Sequence, residues 1–237
     1  MKLTVVDHVD QLYTKTAGLF VEFAAEAIAN NGKFVVALSG GSSPKSIFEL
    51  LSTKAYSDKI EWDKVWFFWV DERWVSLDDE KSNANMTFES LLDHVPVHQN
   101  QIFPMFKENI TPEDYAAEYE SKIREVLGEK GQFDCILLGM GDDGHTASLF
   151  PGENILEQTT KWVDAYYLSP QEMYRITLTA PIINMAKNVL VVTFGSQKRH
   201  ALNEILNGEF NPNLYPLQLI KPQESELQIL TTSETLL

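Results

Sequence analysis

The chain has 237 residues, 44% of them hydrophobic, and a formal net charge of −15. The length allows one large domain or two small ones with a sizeable core, and the charge argues against nucleic acid and anionic membrane as partners, because both demand basic patches. The single cysteine, Cys135, forms no internal disulfide; with no apolar signal core in Met1–Asp7 and no run of membrane-spanning length, a cytoplasmic protein is expected.

No repeat, low-complexity tract or long linker interrupts the chain, so residues 1–237 are read as a single domain. Apolar positions at Leu12, Leu19, Phe20, Phe23, Ala24 and Ala27 recur at helical spacing and predict a helix over 10–30, stopped at Asn30-Asn31-Gly32. Phe34–Leu38 reads as a buried strand and Pro44–Leu51 as a helix, with Ser43 as N-cap and Pro44 at the first helical position. Val65–Val70 is a second buried strand, Asn83–Leu92 a helix, and Pro112–Leu127 a helix capped by Thr111 and stopped by Gly128. Phe133–Leu138 is the third buried strand. Arg175–Thr179 alternates and reads as a partly exposed strand. Val189–Phe194 is a further buried strand, followed by a helix over 197–206, and Leu227–Thr231 reads as an edge strand. Strands alternating with helices, most of them apolar throughout, predict an α/β fold: a mainly parallel sheet with helices on both faces.

Four of these strands end in segments fit for chemistry. After the first come Ser39-Gly40-Gly41-Ser42-Ser43-Pro44-Lys45. The glycines let backbone N–H groups converge, and the helix start adds orphan donors and partial positive charge, a cradle for phosphate. The spacing is not that of a Walker loop. After the second come Asp71-Glu72-Arg73. Arg73 can clamp a phosphate or carboxylate with its planar fork, and Asp71 or Glu72 can orient a base or bind a hydroxyl. After the strand at 189–194, Lys198 stands in the first turn of a helix, where a cation opposes the helix dipole and calls for an anionic ligand.

The third buried strand runs into Gly139-Met140-Gly141-Asp142-Asp143-Gly144-His145. His145 is the candidate base, since histidine is the side chain suited to proton transfer at physiological pH, and a carboxylate lies two residues away. The same stretch satisfies the dinucleotide pattern G-x-G-x-x-G, with Asp164 about twenty residues on. Two acidic residues where a pyrophosphate would sit, and Pro151 cutting short any following helix, speak against that reading. No nucleophile elbow and no His/Cys ligand cluster is present, and His8, His94, His98 and His200 lack ligand-like spacing.

Taken together, Leu38-Ser-Gly-Gly-Ser-Ser-Pro44, Asp71-Glu-Arg73 with Ser82-Asn83, Leu138 through Gly152, Arg175-Ile-Thr-Leu-Thr179 with Pro181 and Asn184, and Gly195 with Lys198 resemble the 6-phosphogluconolactonase family. These motifs run over most of the chain. The tail after Pro222 departs from the family's Asp-containing close, and Ser42-Ser43 stands where relatives often carry Ser-Thr. The resemblance implies a Rossmann-like fold related to glucosamine-6-phosphate deaminase, ribose-5-phosphate isomerase and coenzyme A transferases. It implies hydrolysis of 6-phospho-D-glucono-1,5-lactone in the oxidative pentose phosphate pathway, without metal or cofactor.

In that reading His145 activates the attacking water, and Asp143 or Asp71 orients it. Arg73, Lys198 and the amides of Gly40, Gly41, Ser42 and Ser43 hold the phosphate, with Asn83 and Arg175 also in the substrate site. The deaminase is the nearest rival. It resembles Asp-Glu-Tyr at the second motif, where this chain has Arg73, and carries Asn-Glu-Pro after the histidine, where this chain has Leu149-Phe150-Pro151. A non-catalytic sugar-phosphate sensor on the same fold would keep the cations and lose the histidine.

Overall fold

The computed structural model describes residues 1–128 and 130–236. The chain runs β1 (Lys2–Val6), α1 (Val9–Asn31), β2 (Phe34–Leu38), α2 (Ser42–Ser52), α3 (Lys54–Ser57), β3 (Val65–Trp69), β4 (Asp71–Arg73), α4 (Asn83–Ser90) and α5 (Pro112–Leu127). It continues through β5 (Cys135–Gly139), β6 (Val163–Leu168), β7 (Met173–Leu178), α6 (Ala180–Met185), β8 (Val189–Val192), α7 (Arg199–Asn207), β9 (Gln228–Thr232) and α8 (Ser233–Leu236). Six strands form one parallel sheet in the order β1-β9-β8-β5-β2-β3, and three form an antiparallel sheet, β4-β7-β6.

The expected α/β architecture is present, and its cause is plain in the central strands. Every side chain of β2 is at most 1% exposed, as runs apolar at each position require when both faces are covered. Helix α1 packs on β1, β2 and β9 and is closed by Gly32 in the left-handed region (φ 75°), whose N–H donates to Ile28 O. Helix α5 begins and ends as its sequence demands: Thr111 Oγ1 accepts from Asp114 N at 3.1 Å, and Gly128 follows the last turn.

The differences from expectation have physical reasons. The C-terminal strand is not at the edge, because β1 pairs outside it from Lys2↔Gln228 to Val6↔Thr232. β1 buries little, with Leu3 and Val5 exposed, so its sequence carries no clear periodic signal. Strand β7 is longer than expected, and Arg175 to Leu178 are buried rather than partly exposed, since β4 and β6 flank them and α5 packs on β7. Strands β4 and β6 have no counterpart in the predicted elements. Helix α2 starts two residues early, at Ser42, with Gly41 rather than Ser43 at the N-cap.

Two features open a cleft. The β2–β5 ladder contains Val36↔Cys135 and Ala37↔Ile136 and then stops, whereas β2–β3 pairs through Leu38↔Trp69. The sheet therefore splays between the C-terminal ends of β2 and β5. The chain departs from these two strands in opposite directions across the sheet, the switch point where open α/β sheets bind ligands. Val70 then joins the two sheets: its N–H donates to Leu38 O at 2.9 Å and its carbonyl accepts from Leu178 N at 2.7 Å. The small sheet thus overhangs the gap.

Cys135 sits at the start of β5, fully buried, and burial pushes its thiol well up. A thiol-specific reagent is expected to leave the native protein unmodified and to label Cys135 fully in denaturant. Stoichiometric labelling under native conditions, read by mass spectrometry, would contradict this placement.

Candidate active site

A cavity of about 250 Å³ occupies the gap. One wall is the 39–44 loop after β2, a second is the 139–147 turn after β5, and a third is the small sheet with Asp71, Arg73 and Arg175. Asn83 and Lys198 complete it. Gly40, Gly41, Ser42, Ser43, Asp71, Arg73, Asn83, His145, Arg175 and Lys198, chosen from separate segments of sequence, thus share one cavity. Asp143 does not line it but stands behind His145.

The first wall is a helix start. Gly41 adopts φ 102°, a conformation that favours glycine, and turns the chain into α2. Ser42 and Ser43 lie in the first turn, whose N–H groups have no intrahelical acceptor, and no acidic residue stands there to occupy them. Gly40 is required by packing: a Cβ would overlap the Asn83 carboxamide, which donates to Asp71 O at 2.9 Å.

Three cations surround this start. Lys198 Nζ reaches across to donate to Met140 O at 2.6 Å; burial lowers its pKa, partly offset by Asp142. Lys198 itself ends a single 3-10 turn, and α7 proper begins at Arg199, two residues later than expected. Arg73 and Arg175 are cross-strand partners in β4 and β7. Arg73 donates from Nη1 to Lys81 O at 2.8 Å, and its buried Nε has no partner among the described residues. Arg175 is 3% exposed. Its Nη2 donates to Gln171 at 2.6 Å, while among the described residues Nε and Nη1 have no hydrogen-bond partner, Nη1 lying 3.6 Å from Asp71 Oδ2. Burial lowers the Arg175 pKa; Asp71 opposes the shift and Arg73 adds to it. Facing like charges with open buried donors are costly, and an anion in the cavity relieves both costs.

The second wall carries the imidazole. His145 Nδ1 lies 2.6 Å from Asp143 Oδ1, and the same oxygen accepts the His145 backbone N–H at 3.0 Å. Gly144 (φ 81°) makes the turn, and Gly141 N donates to His145 O at 2.8 Å. A Cβ on Gly141 would overlap the ring. Burial alone would raise the Asp143 carboxyl, but the bonds from His145 outweigh it and hold the group below its ordinary value. An ionised Asp143 places the imidazole proton on Nδ1, so Nε2 carries the free lone pair.

Asp71, a candidate for orienting the base, makes no hydrogen bond to the imidazole. Its Oδ2 accepts from Ser148 Oγ at 2.6 Å and faces Arg175, so it is committed to the third wall. Glu72, the other carboxylate of that motif, does not face the cavity. It is fully buried and accepts the N–H groups of Arg73, Asn83 and Ala84, capping α4; burial pushes it up to about 7 despite those bonds. Ser148 is the residue sequence reasoning passed over. Its hydroxyl holds Asp71, its N–H donates to Thr177, and its carbonyl accepts from Tyr166 Oη. Its place three residues after His145 was the available signal.

The dinucleotide reading fails on geometry: after Gly144 the chain makes turns and a Thr146–Leu149 bridge, with no helix to receive a pyrophosphate. Among the described residues no group of three or more His, Cys, Asp or Glu side chains is placed to hold a metal ion, and no helix is long and apolar enough to cross a membrane.

The family model for glucosamine-6-phosphate isomerases/6-phosphogluconolactonase matches residues 7–229. The chain is 40% identical over 202 residues to the 6-phosphogluconolactonase of Synechocystis sp., covering 84% of this chain and 82% of that protein. It is similar to the crystal structure of a 6-phosphogluconolactonase from Shewanella baltica, with a TM-score of 0.86, 26% identity and 98% of each chain covered. It is also similar to the 6-phosphogluconolactonase from Trypanosoma brucei, with a TM-score of 0.85, 27% identity, and 99% of this chain and 97% of that one covered. With nearly its whole length matched in sequence and in fold, this chain belongs to the glucosamine-6-phosphate isomerase/6-phosphogluconolactonase family.

Proposed function

We propose that this single-domain protein hydrolyses 6-phospho-D-glucono-1,5-lactone to 6-phospho-D-gluconate through His145. Within a family that holds two activities, the likeness to 6-phosphogluconolactonases supports the lactone-hydrolysis step of the oxidative pentose phosphate pathway. The observation that carries the mechanism is the Asp143–His145 pair opening onto the same cavity as Arg73, Arg175, Lys198 and the start of α2.

A lactone is an activated ester, so a positioned water and one base suffice. Nε2 of His145 takes a proton from water as its oxygen bonds to C1. The ring C–O bond then breaks, and the imidazolium returns the proton to the departing ring oxygen. Asp143 stabilises the imidazolium in between, and general acid–base help of this kind is worth roughly 10²–10⁴-fold. The phosphate sits against the α2 amides and Lys198, with the two guanidiniums on its flank. Each charge-assisted bond contributes about 1.5–3 kcal/mol. Such local contacts overcome the net charge of −15, most of which is screened beyond about 8 Å at physiological salt.

The deaminase alternative needs a proton relay after the histidine. Here those positions are Leu149, fully buried, and Phe150, neither able to transfer a proton. The protein is expected to accelerate phospholactone hydrolysis above its spontaneous rate and to release no ammonia from glucosamine 6-phosphate at matched enzyme concentration. Ammonia release without lactone hydrolysis would reverse the assignment.

A further inference from the structure

The bond from Nδ1 to Asp143 fixes one atom of the His145 ring but not the plane of the ring, since an imidazole can swing about a single hydrogen bond. The His145 side chain is 28% exposed, so solvent does not hold that plane either. The Phe150 ring does: it stacks on the imidazole with centroids 4.1 Å apart and planes 24° from parallel.

The chain is built to bring Phe150 back. Between His145 and Phe150 it reverses through Ala147, a non-glycine residue in the left-handed region (φ 49°), and through the Thr146–Leu149 bridge. A side chain in that conformation is strained, and such strain persists only where the surroundings enforce it. Thr146 Oγ1 bonds Gly139 O at 2.8 Å, tying the reversal to the end of β5. Leu149 is fully buried beneath it, and Gly152 N donates to Asn213 O at 3.0 Å beyond it. Phe150 is 8% exposed, so its ring has little room to move. It also lies near Arg175, whose guanidinium is 5.6 Å from the ring centroid. Phe150 therefore stacks on the base and stands close to the most buried cation of the cavity.

Building on the role given to His145 above, we propose that Phe150 is a positioning residue for the base. Its ring sets the imidazole plane and, together with Asp143, aims Nε2 into the cavity. Offset stacking of aromatic rings is favourable beyond the area it buries, and orientation errors at a reacting group are costly even when small.

The test compares Phe150→Leu, which keeps an apolar filling, with Phe150→Tyr, which keeps the ring. His145→Gln is measured alongside. Phe150→Leu should lower kcat by roughly 10-fold, a modest share of the loss that misplacement can cause, with KM for the phospholactone within about two-fold of wild type. Phe150→Tyr should retain kcat within about two-fold. In protein carrying ¹³C-labelled histidine, the His145 ring protons should be shifted upfield by the stacked ring in wild type and Phe150→Tyr, and should lose that shift in Phe150→Leu. An unchanged kcat in Phe150→Leu, a parallel change in kcat and KM, or an upfield shift that persists without the ring would overturn the proposal. Full activity in His145→Gln would instead overturn the base assignment on which it rests, and the two failures are distinguishable.

Discussion

Replacing His145 with glutamine is expected to remove most turnover and leave the fold intact. Glutamine keeps a polar group beside Asp143 but has no lone pair basic enough to accept a proton from water at neutral pH. The loss should fall in kcat, by roughly 10²–10⁴-fold, the range for a lost general base. KM should change little, because the phosphate is held by other groups, the α2 amides and Lys198. The side chain lies at a turn, partly exposed, so circular dichroism and thermal unfolding should match wild type. The lactone also hydrolyses spontaneously, and rates must be read above that background. Near-wild-type hydrolysis by a folded His145→Gln protein would remove His145 from the mechanism.

Lys198→Ala is expected to raise KM for the phosphorylated lactone by about 10- to 100-fold, the equivalent of about 1.5–3 kcal/mol for one charge-assisted contact. KM for unphosphorylated gluconolactone should stay within about two-fold. Lys198 is the cleaner of the cations to remove. Among the described residues its side chain bonds only the Met140 carbonyl, whereas removing Arg175 would take from buried Asp71 its ion-pair partner, a defect that typically costs about 3–5 kcal/mol of stability. A loss in Arg175 variants would therefore mix binding with folding. Equal effects of Lys198→Ala on both substrates would show that Lys198 is not a phosphate ligand.

The parallel sheet was legible because β2, β3, β5 and β8 are built from runs with few or no polar side chains, a pattern only doubly covered strands show. The glycine loop at 39–41 and the turn at 139–145 were legible for a related reason: glycines at the end of such a run mark close backbone approach. The small sheet was not. β4 is three charged residues, Asp71 to Arg73, and on a local reading these belong in solvent. They are satisfied by groups distant in sequence: Glu72 by amides of α4, Asp71 by Ser148 and Arg175.

The choice between Asp143 and Asp71 beside the imidazole was equally hidden. It depends on the backbone of the turn, where Gly144 folds the chain so that one Asp143 oxygen meets both the ring and the amide of His145. Phe150 was visible as a departure from the deaminase motif. Its stack on His145 depends on a reversal at Ala147 that no residue preference announces.

The proposed hydrolysis needs one orientation of the substrate: reacting carbon at His145, phosphate at Lys198 and the start of α2. A crystal structure of the protein with 6-phospho-D-gluconate bound tests it most directly. The C1 carboxylate should lie within hydrogen-bond distance of His145 Nε2, and the phosphate should accept from Lys198 and the amides of Gly41 to Ser43. A phosphate beside His145 with C1 at the start of α2, or a product bound outside this cavity, would contradict the account.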